Sequence, residues 1–368
     1  MNSINVAIIG GAGFMGKAHS FAWSMAAVEG PAGVELNRLV LVEPDAAVAE
    51  ATARALGWRQ WATDWREVVD RDDIHVIDIV TPPHTHAEIA EYALSRGKHV
   101  LCEKPLANSP AETKALVELS GKPGVTSQVG FNYRHNPALQ LARELIHQGA
   151  IGTVIQARFD YLQDVGFGDL GWRTKKRTGG SGASGDIGSH IVDLAQLLVG
   201  RIDKVAALLD IVRMSGDDDH DVDDAGSFLA RFDTGAHGVF SFSQKSWGQN
   251  NHIRVEIDGT LGALAFDWNR RDELQVCIGA DRTAGLKGFR TVHVDGSTPG
   301  TWFALNGAGT GYLESSANQI LAFVANIVDG TPNGPSFSEG ANVQSVIDAV
   351  WASASDNSRW VSVEGSIR

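Results

Sequence analysis

Apolar residues in the first third of the chain fall in short blocks: "INVAIIG" (4–10), "LVLVE" (39–43), "HVIDIV" (75–80), "KHVLC" (98–102) and "VTSQVG" (125–130). The blocks are rich in β-branched residues and do not alternate strictly, as strands covered on both faces tend not to. Between them, apolar positions recur at helical spacing near 16–28, 46–57, 84–97 and 109–120. Strand–helix alternation of this kind predicts a doubly wound parallel sheet. After about residue 150 the pattern changes. "TVIQARFDYLQD" reads as a strand, and a Gly-rich loop then leads into a helix at 185–200. Strand candidates follow closely at 203–213, 226–233, 236–246, 252–258, 261–267, 273–278 and 289–294. Short Gly-containing links such as "FDTGAHG" and "IDGTLG" predict a mainly antiparallel, meandering sheet. Helical spacing returns at 313–329 and 339–355. The pattern predicts an α/β domain over 1–131, followed by an α+β domain over 132–368, with the boundary near 131–150.

Composition narrows the partners. With 31 Lys and Arg against 44 Asp and Glu, the 368-residue chain carries a formal charge of −13. That balance argues against nucleic acid, whose phosphates need a basic face, and against anionic membranes, while leaving room for a small anionic ligand in a local site. No apolar run reaches the ~18 residues of a membrane span, and the N-terminus lacks a basic stretch before its apolar one. Two cysteines, Cys102 and Cys277, read as reduced thiols. A cytoplasmic protein is expected. The acidic run "DDDHDVDD" (217–224) reads as a solvated loop, since it lacks the Gly and Glu spacing of an EF-hand.

The first apolar block runs into "GGAGFMGKAHS", which holds Gly11-x-Gly13-x-x-Gly16 between a strand and a helix. In that context the three glycines serve a tight turn, close approach of a pyrophosphate and helix–strand packing, and the fold is of the Rossmann type. Free N–H groups at the helix start, near Phe14 and Met15, would face the phosphates. Glu43 ends the second strand, where a carboxylate can accept from ribose hydroxyls and repel a 2′-phosphate. NAD is therefore favoured over NADP. Thr81, Pro82 and His86 in "TPPHTH", and Glu103 and Lys104 in "CEKPLA", follow the third and fourth blocks and are expected beside the cofactor, with a helix-start histidine that meets no ligand an equal alternative for His86.

In "GDIGSHIVDLAQLLVG" the stripe Ile187, Ile191, Leu194, Ala195 and Leu198 faces the core, and Asp186 and His190 share a neighbouring face. Plainer roles compete: Asp186 as a helix cap, His190 as a packed core histidine. Beside a nicotinamide, however, alcohol oxidation needs a proton acceptor, which a His supplies near neutrality. A lysine ammonium would favour the developing alkoxide. Metal ligation is not expected, because no further ligands stand at suitable spacing.

"GGAGFMGKAH", "TPPHTH", "CEKPLA", "GFNYRHNPA", "GAIGTV", "GWR", "GGSGASGDIGSHIVD" and "IDGTLGALAFD" occur in an order that resembles the glucose–fructose oxidoreductase/inositol dehydrogenase family. The resemblance implies an N-terminal Rossmann domain and a C-terminal open, mainly antiparallel sheet. It implies Lys104, Asp186 and His190 as the catalytic set, with His190 as base. It also implies that Asn132, Tyr133, Gln163, Trp172 and Arg173 border the sugar pocket, Asn132 on the cofactor side. Homodimers or homotetramers through the open sheet are implied too. Within the family, "GFMGKAHS", "YLQD", "RRDELQV" and "GFRTV" are most similar to members acting on the anhydro-sugar levoglucosan. The expected reaction is NAD-dependent oxidation of a secondary hydroxyl on a cyclic sugar or polyol, with levoglucosan at C3 the specific expectation. Alternatives are an inositol or glucoside 3-dehydrogenase, an NAD-dependent glycosidase, or a cofactor-binding protein without chemistry.

Overall fold

The computed structural model describes residues 3–31, 33–168, 171–213, 220–279, 284–285, 287–295, 298, 309–330 and 334–364. Two compact units emerge: Met1–Asn132 with Gly311–Ala341, and Tyr133–Thr310 with Asn342–Arg368. This differs from a single division after residue 131, because 311–341 belong with the first unit.

In the first unit, β1 (Ser3–Ile9), β2 (Glu35–Val42), β3 (Gln60–Ala62), β4 (Val76–Ile79), β5 (His99–Cys102) and β6 (Ser127–Val129) alternate with α1 (Phe14–Glu29), α2 (Ala46–Leu56), α3 (Trp65–Val69), α4 (His86–Ser95) and α5 (Pro110–Ser120). The strands pair in parallel in the order β3-β2-β1-β4-β5-β6. That is the doubly wound order expected of a Rossmann sheet, and its direction of growth reverses between β1 and β4. The apolar blocks are buried as expected: Val6, Ala7, Ile8, Val76, Ile77, Val100 and Leu101 are all 0% exposed. Asp45 caps α2 by accepting from Ala47 and Val48 N–H, and Gly57 ends it in the left-handed region at φ 73°. The short β3 and α3 escape the sequence pattern because Gln60 and Trp61 are exposed and carry no buried stripe. Among residues 311–341, Val129 N–H donates to the Pro335 carbonyl at 2.7 Å.

The second unit opens with α6 (Pro137–His147), which the sequence reading passed over as boundary. It continues with β7 (Val154–Leu162), α7 (Lys176–Gly179), α8 (Ser189–Leu198) and strands β8 (Ile202–Asp210), β9 (Ala225–Phe232), β10 (His237–Ser243), β11 (His252–Gly259), β12 (Gly262–Asp267), β13 (Glu273–Ile278) and β14 (Arg290–His293). Helix α9 (Tyr312–Asp329) lies in the first unit, the division falls within α10 (Phe337–Ser355), and β15 (Val361–Ser362) closes the order. Among the described residues the strands form a nine-stranded sheet, β14-β13-β12-β11-β7-β10-β9-β8-β15. Every pairing is antiparallel except β7 with β10. Phe159, Phe228, Phe240 and Phe242 cover the inner face, with Phe228 stacked on Phe240 at 4.2 Å.

Two expectations change here. The helix at 185–200 does not begin as an α-helix: Ser184–Gly188 form a π turn, and α8 follows. The wider turn is accommodated by glycine, since a Cβ on Gly185 would lie 2.0 Å from Ser181 Oγ. The acidic run is solvated only in part where it is described: Asp221 is exposed. Residues 217–219 lie outside the described residues, but His220, Asp223 and Asp224 are 2%, 1% and 1% exposed. The Asp223 carboxylate accepts from the buried Ser184 N–H and the Asp224 carboxylate lies 3.3 Å from the Lys245 ammonium, which compensates burial.

Candidate active site

In the first unit the glycine turn has the shape a pyrophosphate needs. A Cβ on Gly11 would meet Leu41 at 2.6 Å, and one on Gly16 would meet the Gly11 carbonyl at 2.3 Å, so both are glycine for packing. A Cβ on Gly13 would find its nearest atom at 3.8 Å, leaving space over the turn. Gly13 caps α1 without a side-chain bond, and the first turn, from Phe14 and Met15 onward, carries no acidic residue. Those N–H groups and the helix dipole suit an anion. Glu43 is half-buried and accepts from Ala12 N–H at 2.6 Å, which turns its carboxylate toward the same turn and leaves lone pairs for a ribose hydroxyl. Thr81 adjoins the turn, its Cγ2 lying 2.9 Å from where a Cβ on Gly10 would stand, and Pro82 follows it half-buried. These residues fit a bound dinucleotide.

His86 opens α4 and is enclosed by backbone. It is 1% exposed, and its two ring nitrogens lie 2.8 Å from the carbonyls of Thr81 and Pro105. Burial pushes its pKa down. It lies between the end of β4 and the Lys104–Pro105 turn, whose peptide bond is cis. Glu103 is likewise buried, at 4% exposure. It accepts from Lys104 N–H at 3.2 Å, and Nε2 of His19 lies 3.2 Å from its carboxylate. Nδ1 of His19 is 2.9 Å from both Asp78 oxygens, and Trp23 donates to Asp78 at 2.7 Å. Burial works against charge on this ring, but Asp78 and Glu103 outweigh it and hold the pKa up at about 10. Lys104 itself is half-buried. Asn132 is 3% exposed and donates to Ser316 Oγ on α9 at 3.3 Å, so its amide braces that helix.

In the second unit His190 sits in an aromatic and polar nest. The Tyr133 ring meets it edge-on at 4.9 Å, and the Tyr161 ring lies at 6.0 Å. The Tyr133 and Tyr161 hydroxyls are 2.8 Å apart. Tyr161 donates to Asn251 Oδ1 at 2.7 Å, Gln163 donates to the same oxygen at 2.8 Å, and Asn251 Nδ2 donates to Tyr133 at 2.9 Å. Tyr133, Gln163 and His190 are thus brought together through Tyr161 and Asn251, two residues outside the sequence set. Asp186, in the π turn, accepts from Gln244 Nε2 at 2.7 Å. Trp172 and Arg173 pair with each other, the guanidinium 4.2 Å above the indole. Tyr161 was within reach of sequence reasoning, since it precedes Gln163 by two positions on one strand face. Asn251 and Gln244 carried no signal of their own.

Comparison with known proteins places the chain in a family. Residues 4–131 match the oxidoreductase family with NAD-binding Rossmann fold, and residues 139–265 match the GFO/IDH/MocA C-terminal domain. The chain is 40% identical to levoglucosan dehydrogenase of Pseudarthrobacter phenanthrenivorans, over 99% of each chain. It is 29% identical to inositol 2-dehydrogenase of Rhizobium meliloti, over 94% of this chain and 96% of that one. A solved levoglucosan dehydrogenase in complex with NADH and levoglucosan superposes with a TM-score of 0.93 at 40% identity, over 99% of this chain and 100% of the other. With a glycine turn shaped for a dinucleotide and both halves matched in order, the chain belongs to the GFO/IDH/MocA family of NAD-binding oxidoreductases.

Proposed function

We propose that the protein is a levoglucosan dehydrogenase, oxidising the C3 hydroxyl of the anhydro-sugar to a ketone with NAD. The observation that carries this reading is the cluster of hydroxyl and amide groups around His190, formed by Tyr133, Tyr161, Gln163 and Asn251, whose chemistry suits a polyhydroxylated ring. It occurs in a chain 40% identical over its length to an enzyme named for that sugar.

Gly11, Gly13, Gly16, Phe14 and Met15 would hold the pyrophosphate, and Glu43 the ribose. NAD, when bound, accepts the hydride that leaves the carbinol carbon. The hydroxyl proton goes to His190, whose imidazole is suited to the exchange near neutrality. The Lys104 ammonium favours negative charge on the reacting oxygen, and Asp186 orients the hydroxyl. Trp172 and Arg173 border the sugar. Homodimers or homotetramers are supported by the outer face of the nine-stranded sheet, where Leu208, Leu229 and Val239 are 65%, 49% and 37% exposed. Both cysteines are free thiols, as in a cytoplasmic enzyme.

Steady-state NADH formation with levoglucosan, myo-inositol, glucose and methyl glucosides tests the reading. Turnover fastest with levoglucosan is expected, and His190→Asn should lower kcat by about 10²–10⁴-fold while NADH still binds. No NADH from levoglucosan would overturn the substrate assignment. Sugar cleavage without net NADH would indicate a glycosidase instead.

A further inference from the structure

The buried end of the acidic run converges on Asp186 by two routes. The Asp223 carboxylate accepts three hydrogen bonds from the loop that enters the π turn. They come from Gly182 N–H at 3.1 Å, Ser184 N–H at 2.6 Å and Ser184 Oγ at 2.7 Å. The Asp223 carbonyl also accepts from Ala183 N–H at 2.8 Å. The approach is close enough that a Cβ on Gly182 would lie 1.9 Å from that carbonyl oxygen. One residue later, the Asp224 carbonyl accepts from Gln244 N–H at 2.9 Å, and the Gln244 carbonyl accepts from Gly166 N–H at 2.7 Å. The side chain of Gln244, so fixed, donates to Asp186 Oδ2 at 2.7 Å. Asp223 is 1% and Gln244 4% exposed, so the Asp223 bonds are shielded from bulk water, while the bond to the half-buried Asp186 is partly so.

Asp223 thus holds the backbone that carries Asp186, and Gln244 holds its carboxylate. A group acting on a substrate hydroxyl is effective only within a narrow range of distance and angle. We propose that Asp223 and Gln244 are positioning residues of the reaction, fixing the Asp186 carboxylate in the orientation in which it meets the substrate. The proposal rests on the reading of Asp186 as a member of the catalytic set.

The test uses the full-length enzyme with NAD and levoglucosan. Gln244→Leu removes one donor to Asp186, Asp223→Asn turns an amide NH2 toward N–H donors, and each is made alone and combined with Asp186→Asn. Each single variant is expected to lower kcat by about 10- to 100-fold, with KM for NAD within about twofold of the parent. In the Asp186→Asn background neither should lower kcat further, because the group they position is gone. A merely structural role would instead lower activity in both backgrounds alike. If Asp186→Asn leaves kcat unchanged, the reading of Asp186 fails and this inference with it. If Asp186→Asn lowers kcat but Gln244→Leu does not, or does so equally in both backgrounds, this inference alone is overturned. Gln244→Leu decides the matter should Asp223→Asn not fold.

Discussion

A methyl group added at Gly13 and one added at Gly16 would meet different surroundings. At Gly13 it would point into open space, its nearest neighbour 3.8 Å away, and the backbone there (φ −68°, ψ 175°) accepts any residue. Gly13→Ala should therefore leave Tm within about 2 °C of the parent and weaken NADH at least about tenfold by blocking the pyrophosphate. At Gly16 the methyl would lie 2.3 Å from a backbone oxygen. Gly16→Ala should cost about 1–3 kcal/mol of stability and lower Tm by roughly 2–12 °C. Fluorescence titration with NADH and a thermal melt separate the two outcomes. The motif alone could assign these roles, because they depend only on the turn and its neighbours. His86 shows the opposite case. Its position past β4 suggested a ligand contact, yet its two carbonyl partners, Thr81 and Pro105, lie 5 and 19 residues away, and only the folded chain shows how they enclose it.

At the scale of elements, β4, β5 and α1 meet in the buried group of Asp78, Glu103 and His19. Their separations of 59 and 84 residues from His19 explain why no local pattern announced the group. His19 is held at a pKa of about 10 against an ordinary 6.5. A ring whose folded pKa is raised contributes stability that is complete below about 6.5 and disappears as pH climbs through about 10. His19→Gln should destabilise the protein by about 3–5 kcal/mol at pH 7, because it leaves two buried carboxylates without their cation. The difference between parent and variant should shrink on going to pH 10.5, as read by urea unfolding. An unchanged difference would argue against a charged ring. Elements with strong periodicity were legible: the strands of the parallel sheet other than β3 and the helices near 16–28 and 313–329 lie within a few residues of expectation. Pairing was less so. Nothing in "TVIQARFDYLQD" distinguishes an antiparallel neighbour from the parallel one that β10 provides. The acidic run misled for a related reason, since charge predicts solvent only where no buried donors stand opposite.

At the scale of the whole molecule, the exposed leucines of β8 and β9 bear on assembly. Light scattering after size exclusion should give twice or four times the 39.3 kDa chain mass. Placing Lys at Leu208 together with Glu at Leu229 should shift the population toward monomer, whereas an unchanged mass would point to another face. The composition of the first unit from two stretches of chain bears on synthesis. The ribosome releases 1–132 early, but 311–341, whose Pro335 carbonyl takes the Val129 N–H, emerges only after the intervening sheet has been translated. At ~5–20 residues per second that interval lasts on the order of ten to forty seconds. During it the nascent coenzyme domain stands open along β6, so slowed translation or premature truncation within 133–310 should leave a fragment that chaperones retain and proteases cut.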